Sequence, residues 1–194
     1  MTVRVASAAI FLVALALALA LADPVRADLQ GRDEASTQAV ESLEAYAAYK
    51  MGQYDLARER WEALAGKGNT TAMINLANLH AQGQGVPRSP VMARSWTRKA
   101  AELGDARAQF ELGLAYERGD GGERDLAEAA RWLGRAAEQG NGEAQFSLGV
   151  LLATGLGKGA AVASVEQKRA GLGWLTKAAD GGHAEAAALL KALR

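Results

Sequence analysis

Small and apolar residues return at helical spacing through most of the chain. Ala72 is followed by Leu76 and Ala77, Ala108 by Leu112 and Gly113, and Ala144 by Leu148 and Gly149, so each small residue shares a helix face with its partners four and five positions on. A second pattern alternates with the first. Trp96, Trp132 and Trp174 each stand four to five residues before an alanine pair, Ala100-Ala101, Ala136-Ala137 and Ala178-Ala179. This large-small stripe also has the helical period and predicts a face turned toward a neighbouring helix pair. Between the two patterns lie paired glycines, Gly83 and Gly85, Gly119 and Gly121, Gly155 and Gly157, which predict a turn. One unit therefore reads as helix, glycine turn, helix.

The unit recurs. Gly104 to Gly113 and Gly140 to Gly149 agree at six of ten positions, a weaker copy starts at Gly68-Asn69, and a truncated one starts at Gly182-His183, giving spacings of 36, 36 and 42 residues. The boundaries carry their own chemistry. Asn69, Asp105 and Asn141 each follow a glycine and can cap the next helix through a side-chain oxygen, while Gly68, Gly104, Gly140 and Gly182 can take the left-handed conformation that ends the helix before. Ser89-Pro90 predicts an N-cap with proline at the first helical position, and Asp125 holds the matching place one unit on, so second helices are expected to start near residues 90 and 125. Gly113 and Gly149 each cost about 1 kcal/mol of helix propensity relative to alanine, which calls for a close helix crossing in return.

The motif Ala-Gln-Phe-x-Leu-Gly, followed by Tyr116, the Gly-x-Gly turn, Trp132 and Ala136-Ala137-Glu138-Gln139-Gly140, resembles the Sel-one-like repeat, a branch of the tetratricopeptide-type solenoids. The resemblance extends over about residues 40–194 and implies an all-α protein, a right-handed superhelical α/α solenoid with units at 40–67, 68–103, 104–139 and 140–181 and a capping helix at 182–194. It further implies an adaptor or scaffold for other proteins, often in envelope or secretion pathways, with no catalytic residues to carry over. Two places depart from the pattern. Gln53 to Trp61 looks like the plain tetratricopeptide form and is expected to cap the start of the stack. Gly157 to Gly173 carries about six extra residues, expected as a loop extension on one face.

The N-terminus bears on location. Arg4 followed by an unbroken apolar run from Ala8 to Ala22 has the layout of a secretory signal peptide, and the run falls short of the ~20 residues that a bilayer span needs. Cleavage is expected after Ala27, with Ala22 the alternative, leaving 28–39 as a linker and a periplasmic or secreted product. The absence of cysteine leaves neither a lipidation thiol nor a disulfide, so packing alone must hold the fold. Removing Arg4, Asp23 and Arg26 from 22 charges of each sign keeps the remainder near neutral, with no basic stripe for a phosphate backbone; nucleic acid is not an expected partner.

Candidate chemistry is sparse. His80 aligns with Tyr116 and Leu152 and is expected as a packed ring; His183 aligns with Asn69, Asp105 and Asn141 and is expected as an imperfect cap. No catalytic residue, metal ligand or cofactor site is assigned. The glycine turns at 119–122 and 155–159 lack the strand and the Lys-Ser/Thr of a phosphate loop. The predicted functional surface is the face of the first helices left free by packing: Asn75, Asn78 and Gln82, then Glu111, Leu114 and Arg118, then Ser147, Val150 and Thr154. These positions suit a protein or peptide partner, either extended or helical, whose backbone Asn and Gln can bond. Two other readings stand beside this one: a hydrolase acting on cell-wall or antibiotic substrates, and a structural protein tethered by an uncleaved N-terminal anchor.

Overall fold

The computed structural model describes residues 34, 36–155 and 163–192. The signal peptide expected at 1–27, most of the linker, and Gly157 and Gly159 lie outside the described residues. The chain divides into two units at residue 44, with described residues 34 and 36–44 in the first and 45–155 and 163–192 in the second. In the first, residues 36–44 are helical, so helix is present inside the stretch read as a linker. The second opens with helical residues 45–50 (α1), then α2 (Tyr54–Gly66), α3 (Thr70–Gln82), α4 (Pro90–Glu102), α5 (Ala106–Arg118), α6 (Leu126–Glu138), α7 (Gly142–Thr154), α8 (Val165–Asp180) and α9 (Ala184–Ala192).

Capping fixes where these helices start. The Asn69, Asp105 and Asn141 side chains accept from the backbone N–H of Ala72, Ala108 and Ala144, each at 2.9 Å. Ser89 accepts from Met92, Asp125 from Ala127 and Glu128, and Ser164 forms a reciprocal box with Gln167. Each bond satisfies a backbone donor that has no partner inside the helix, and a polar cap is worth about 1 kcal/mol over alanine. Gly68, Gly104, Gly140 and Gly182 have φ between 84° and 93°, the left-handed conformation that sends the chain from one unit to the next.

Each helix of the second unit packs mainly against the helices before and after it in the chain, as a solenoid requires. Within the α5/α6 and α7/α8 hairpins the helices meet at glycine. A methyl group on Gly113 would stand 2.7 Å from Leu133 Cγ, and one on Gly149 would stand 2.7 Å from Leu175 Cγ. The propensity cost of each glycine is thus offset by a leucine seated against bare backbone. Between repeats, Trp132 joins the core that contains Ala108 and Leu112, and Trp174 packs against the cluster around Leu133 and Leu148, so the tryptophan stripe faces back toward the preceding pair. A cation covers each ring: Lys99 on Trp96, Arg135 on Trp132 and Lys177 on Trp174.

The Gln of the repeated Ala-Gln-Phe motif has a structural task. Gln109 and Gln145 donate to the Ala101 and Ala137 carbonyls in the last turn of the preceding helix, each at 3.1 Å. Those carbonyls belong to the helix end that lacks internal donors. The insertion in the last full unit does not fall wholly on a loop. α8 is 16 residues long against 13 for α6, so half of the extra length extends the helix; the remainder lies between Thr154 and Val165, where 156–162 are outside the described residues.

Candidate functional site

The nine positions predicted as a recognition surface fall on α3, α5 and α7, at equivalent places in three successive units. Asn75, Asn78, Glu111, Leu114, Ser147 and Val150 are half-buried, and Gln82, Arg118 and Thr154 are exposed. Three of them are already engaged. Glu111 accepts from Arg107 at 2.9 Å, the Thr154 hydroxyl donates to the Val150 carbonyl at 2.9 Å, and Val150 packs on the Leu175, Ala178 and Ala186 cluster. The Asn75, Asn78 and Gln82 amides make no side-chain hydrogen bond among the described residues, so α3 presents unused donors and acceptors along one face.

The two histidines sit in different surroundings. His183 accepts the Ala186 N–H at Nδ1, at 3.3 Å, stacks on Phe146 with ring centroids 4.5 Å apart, and places Nε2 3.3 Å from Glu143. It caps α9 as Asn69 and Asn141 cap their helices. His80 is half-buried near the end of α3, and its carbonyl accepts the Ser89 N–H that starts the turn into α4. Among the described residues, no group of three His, Asp or Glu side chains converges as a metal would need, and no helix is long and apolar enough to cross a membrane.

One arrangement escaped the sequence reading. A cleft of about 680 Å³ opens between the start of α4, the end of α5 and the start of α6, lined by Arg94, Arg98, Tyr116 and the Gly121-Gly122 turn. Arg94 is only 8% exposed. Its guanidinium carbon lies 3.7 Å from the Tyr116 ring centroid, and the Arg98 guanidinium donates to the Tyr116 hydroxyl at 2.6 Å. The glycine turn makes room for this. A methyl group on Gly121 would run into the Pro90 carbonyl, and one on Gly122 would stand 2.5 Å from Arg94 Nη1. The missed signal was the unit-to-unit alignment of arginine: Arg58 and Arg94 both stand ten residues before the glycine that opens the next unit.

A run of capped helix hairpins, each packing on the next, defines an α/α helical-repeat solenoid. The chain belongs to the Sel1 repeat family, whose profile matches residues 70–105, 106–141 and 142–183. A Sel1 repeat protein from Oxalobacter formigenes is similar in structure, with 33% identity and a TM-score of 0.64, over 75% of this chain and 57% of that one. The protein c5321, a protective antigen present in uropathogenic Escherichia coli strains that displays an SLR fold, is similar with 32% identity and a TM-score of 0.62, over 69% of this chain and 27% of that one. This chain thus spans little more than half of the first protein and about a quarter of the second. No curated protein matches the sequence significantly. Sel1 repeat proteins are generally protein-interaction scaffolds, and the family is typically non-catalytic.

Proposed function

We propose that this chain is an exported, non-catalytic adaptor of the cell envelope that holds a protein partner along the free face of α3, α5 and α7. The observation that carries this reading is the row of uncommitted amides on α3. Asn75, Asn78 and Gln82 recur on one helix face, and none has its hydrogen-bonding capacity spent within the chain among the described residues. An extended segment or a helix end laid there offers the carbonyl and N–H groups that such amides bond. The following units continue the face with Glu111, whose carboxylate is paired with Arg107, and with Arg118 and Ser147, which add one cation and one hydroxyl. Export rests on the N-terminal sequence, in which Arg4 and the apolar run to Ala22 have the order of a signal peptide. Cleavage after Ala27 is proposed, and N-terminal sequencing of the exported form reads it directly.

The test of partner binding is an affinity capture from envelope extract. The wild type should enrich a discrete protein, and the Asn75→Ala/Asn78→Ala/Arg118→Ala variant should lose it while keeping the helical circular dichroism of the wild type. Recovery of the same nonspecific proteins by both would overturn the proposal.

A further inference from the structure

The two arginines that share a place in the repeat have opposite surroundings. Arg58, on α2, is bracketed by carboxylates, Glu62 at 3.3 Å and Asp55 at 3.5 Å, and Glu62 first and Asp55 second push its pKa above the usual arginine value. Arg94, on α4, is more deeply buried and has no carboxylate partner among the described residues. Among the described residues its Nε, like that of Arg58, is buried without an acceptor, and its one hydrogen bond is a long one, from Nη1 to the Glu123 carbonyl at 3.4 Å. The face of Tyr116 lies against its charge as well. A buried cation left with a ring and one long carbonyl contact is incompletely compensated, because desolvation removes more than such contacts return. Arg98 adds a second positive charge near the same ring, again with no carboxylate in contact among the described residues.

We infer that the cleft between α4, α5 and α6 binds a carboxylate carrying an apolar group, such as the C-terminal leucine of a partner peptide. Arg94 and Arg98 receive the carboxylate, and Val91 and Leu126 receive the apolar group. The inference rests on the proposed partner-binding role and assigns to it a second contact, at the same end of α5 as Arg118. Arginine forks match the plane of a carboxylate and bond it with charge assistance, which is the compensation that Arg94 lacks. The apolar half of the ligand follows from the lining: Val91 is 64% exposed on the rim, Leu126 is half-buried, and a volume of about 680 Å³ accommodates a leucine side chain with its terminus. A phosphate dianion fits less well, because Glu123 and Asp125 also line the cleft. The Asp125 carboxylate is committed to capping α6, whereas Glu123 makes no side-chain hydrogen bond or ion pair among the described residues and is the resident negative charge that a ligand would oppose.

The experiment is fluorescence anisotropy with the full chain and a labelled hexapeptide ending in leucine, compared as free acid and as C-terminal amide. The free acid should bind about tenfold more tightly than the amide, N-acetyl-leucine should displace it, and inorganic phosphate should not. Arg98→Gln, whose guanidinium is exposed, should weaken the free acid about tenfold at unchanged circular dichroism, and Glu123→Gln should tighten it. Arg94→Gln tests the buried partner directly; if that variant does not fold, Arg98→Gln and Glu123→Gln still decide. Equal binding of acid and amide, no binding of either, or displacement by phosphate as readily as by N-acetyl-leucine overturns the inference. Capture of the envelope partner equally by wild type and Arg98→Gln, with loss only in the Asn75/Asn78/Arg118 variant, overturns it too while leaving the adaptor role standing.

Discussion

The α5/α6 and α7/α8 hairpins follow one plan but meet differently. In the first, Gly113 faces Leu133, and an added methyl would meet the leucine's Cγ and Cδ2 first, at 2.7 and 2.9 Å, with its backbone nitrogen further off at 3.2 Å. In the second, glycine stands on both helices: Gly149 faces Leu175, and Gly171 lies against the Gly149 carbonyl and the Ala153 backbone nitrogen, at 2.6 and 2.7 Å from where a methyl would sit. The turns differ as well. Gly119 ends α5 in the left-handed helical conformation, whereas Gly155, with φ 99° and ψ 144°, ends α7 in a different positive-φ conformation that glycine alone adopts readily, and leads into the longer connection. A side chain can change rotamer to admit a methyl, but two helix backbones have to part. The unit that carries the insertion is therefore also the one with the least tolerant helix contact.

Gly171→Ala should separate the hairpins most. The alanine gains about 1 kcal/mol of helix propensity, yet the forced parting of α7 from α8 should leave a net loss of roughly 3 kcal/mol in urea unfolding. Hydrogen exchange should place that loss in α7 to α9 and leave α3 and α4 protected, because solenoid units couple chiefly to their neighbours. Asp105→Ala comes next. It removes the cap of α5 and also the 2.7 Å bond that Asp105 accepts from the Thr70 hydroxyl one unit back, for a loss of about 2 kcal/mol. Asn141→Ala, which removes a cap alone, should cost about half as much. Gly113→Ala should cost only about 1 kcal/mol, since Leu133 can shift; a loss as large as that of Gly171→Ala would erase the distinction between the hairpins. His183→Asn should change stability least, by under about 0.5 kcal/mol, because the better cap is offset by the lost stacking on Phe146.

Most of the fold was legible because the repeat writes its punctuation in residues with one physical use. Asn69, Asp105, Asn141 and Asp125 are caps, Gly113 and Gly149 are crossing points, and Ser89-Pro90 is a helix start, each as the sequence implied. Features that depend on two units at once were not legible. The bond from Thr70 to Asp105, the seating of Gly171 against Gly149, and the share of the insertion that became helix in α8 all need the register of one helix on another, which spacing within a unit does not encode. The proposed recognition face was outlined from period alone, but period did not show that Val150 is spent on packing or that Glu111 is paired with Arg107. The Arg94 cleft stayed hidden for a further reason: burial of an arginine is set by Tyr116 and the Gly121-Gly122 turn coming together in space.

The adaptor account is tested most directly by site-specific photocrosslinking in the envelope, with the photoreactive residue placed at Asn78 on the free face of α3 or at exposed Glu102 at the end of α4. The account predicts a discrete crosslinked product from Asn78 and none from Glu102. The same product from both positions, or from neither, would contradict it.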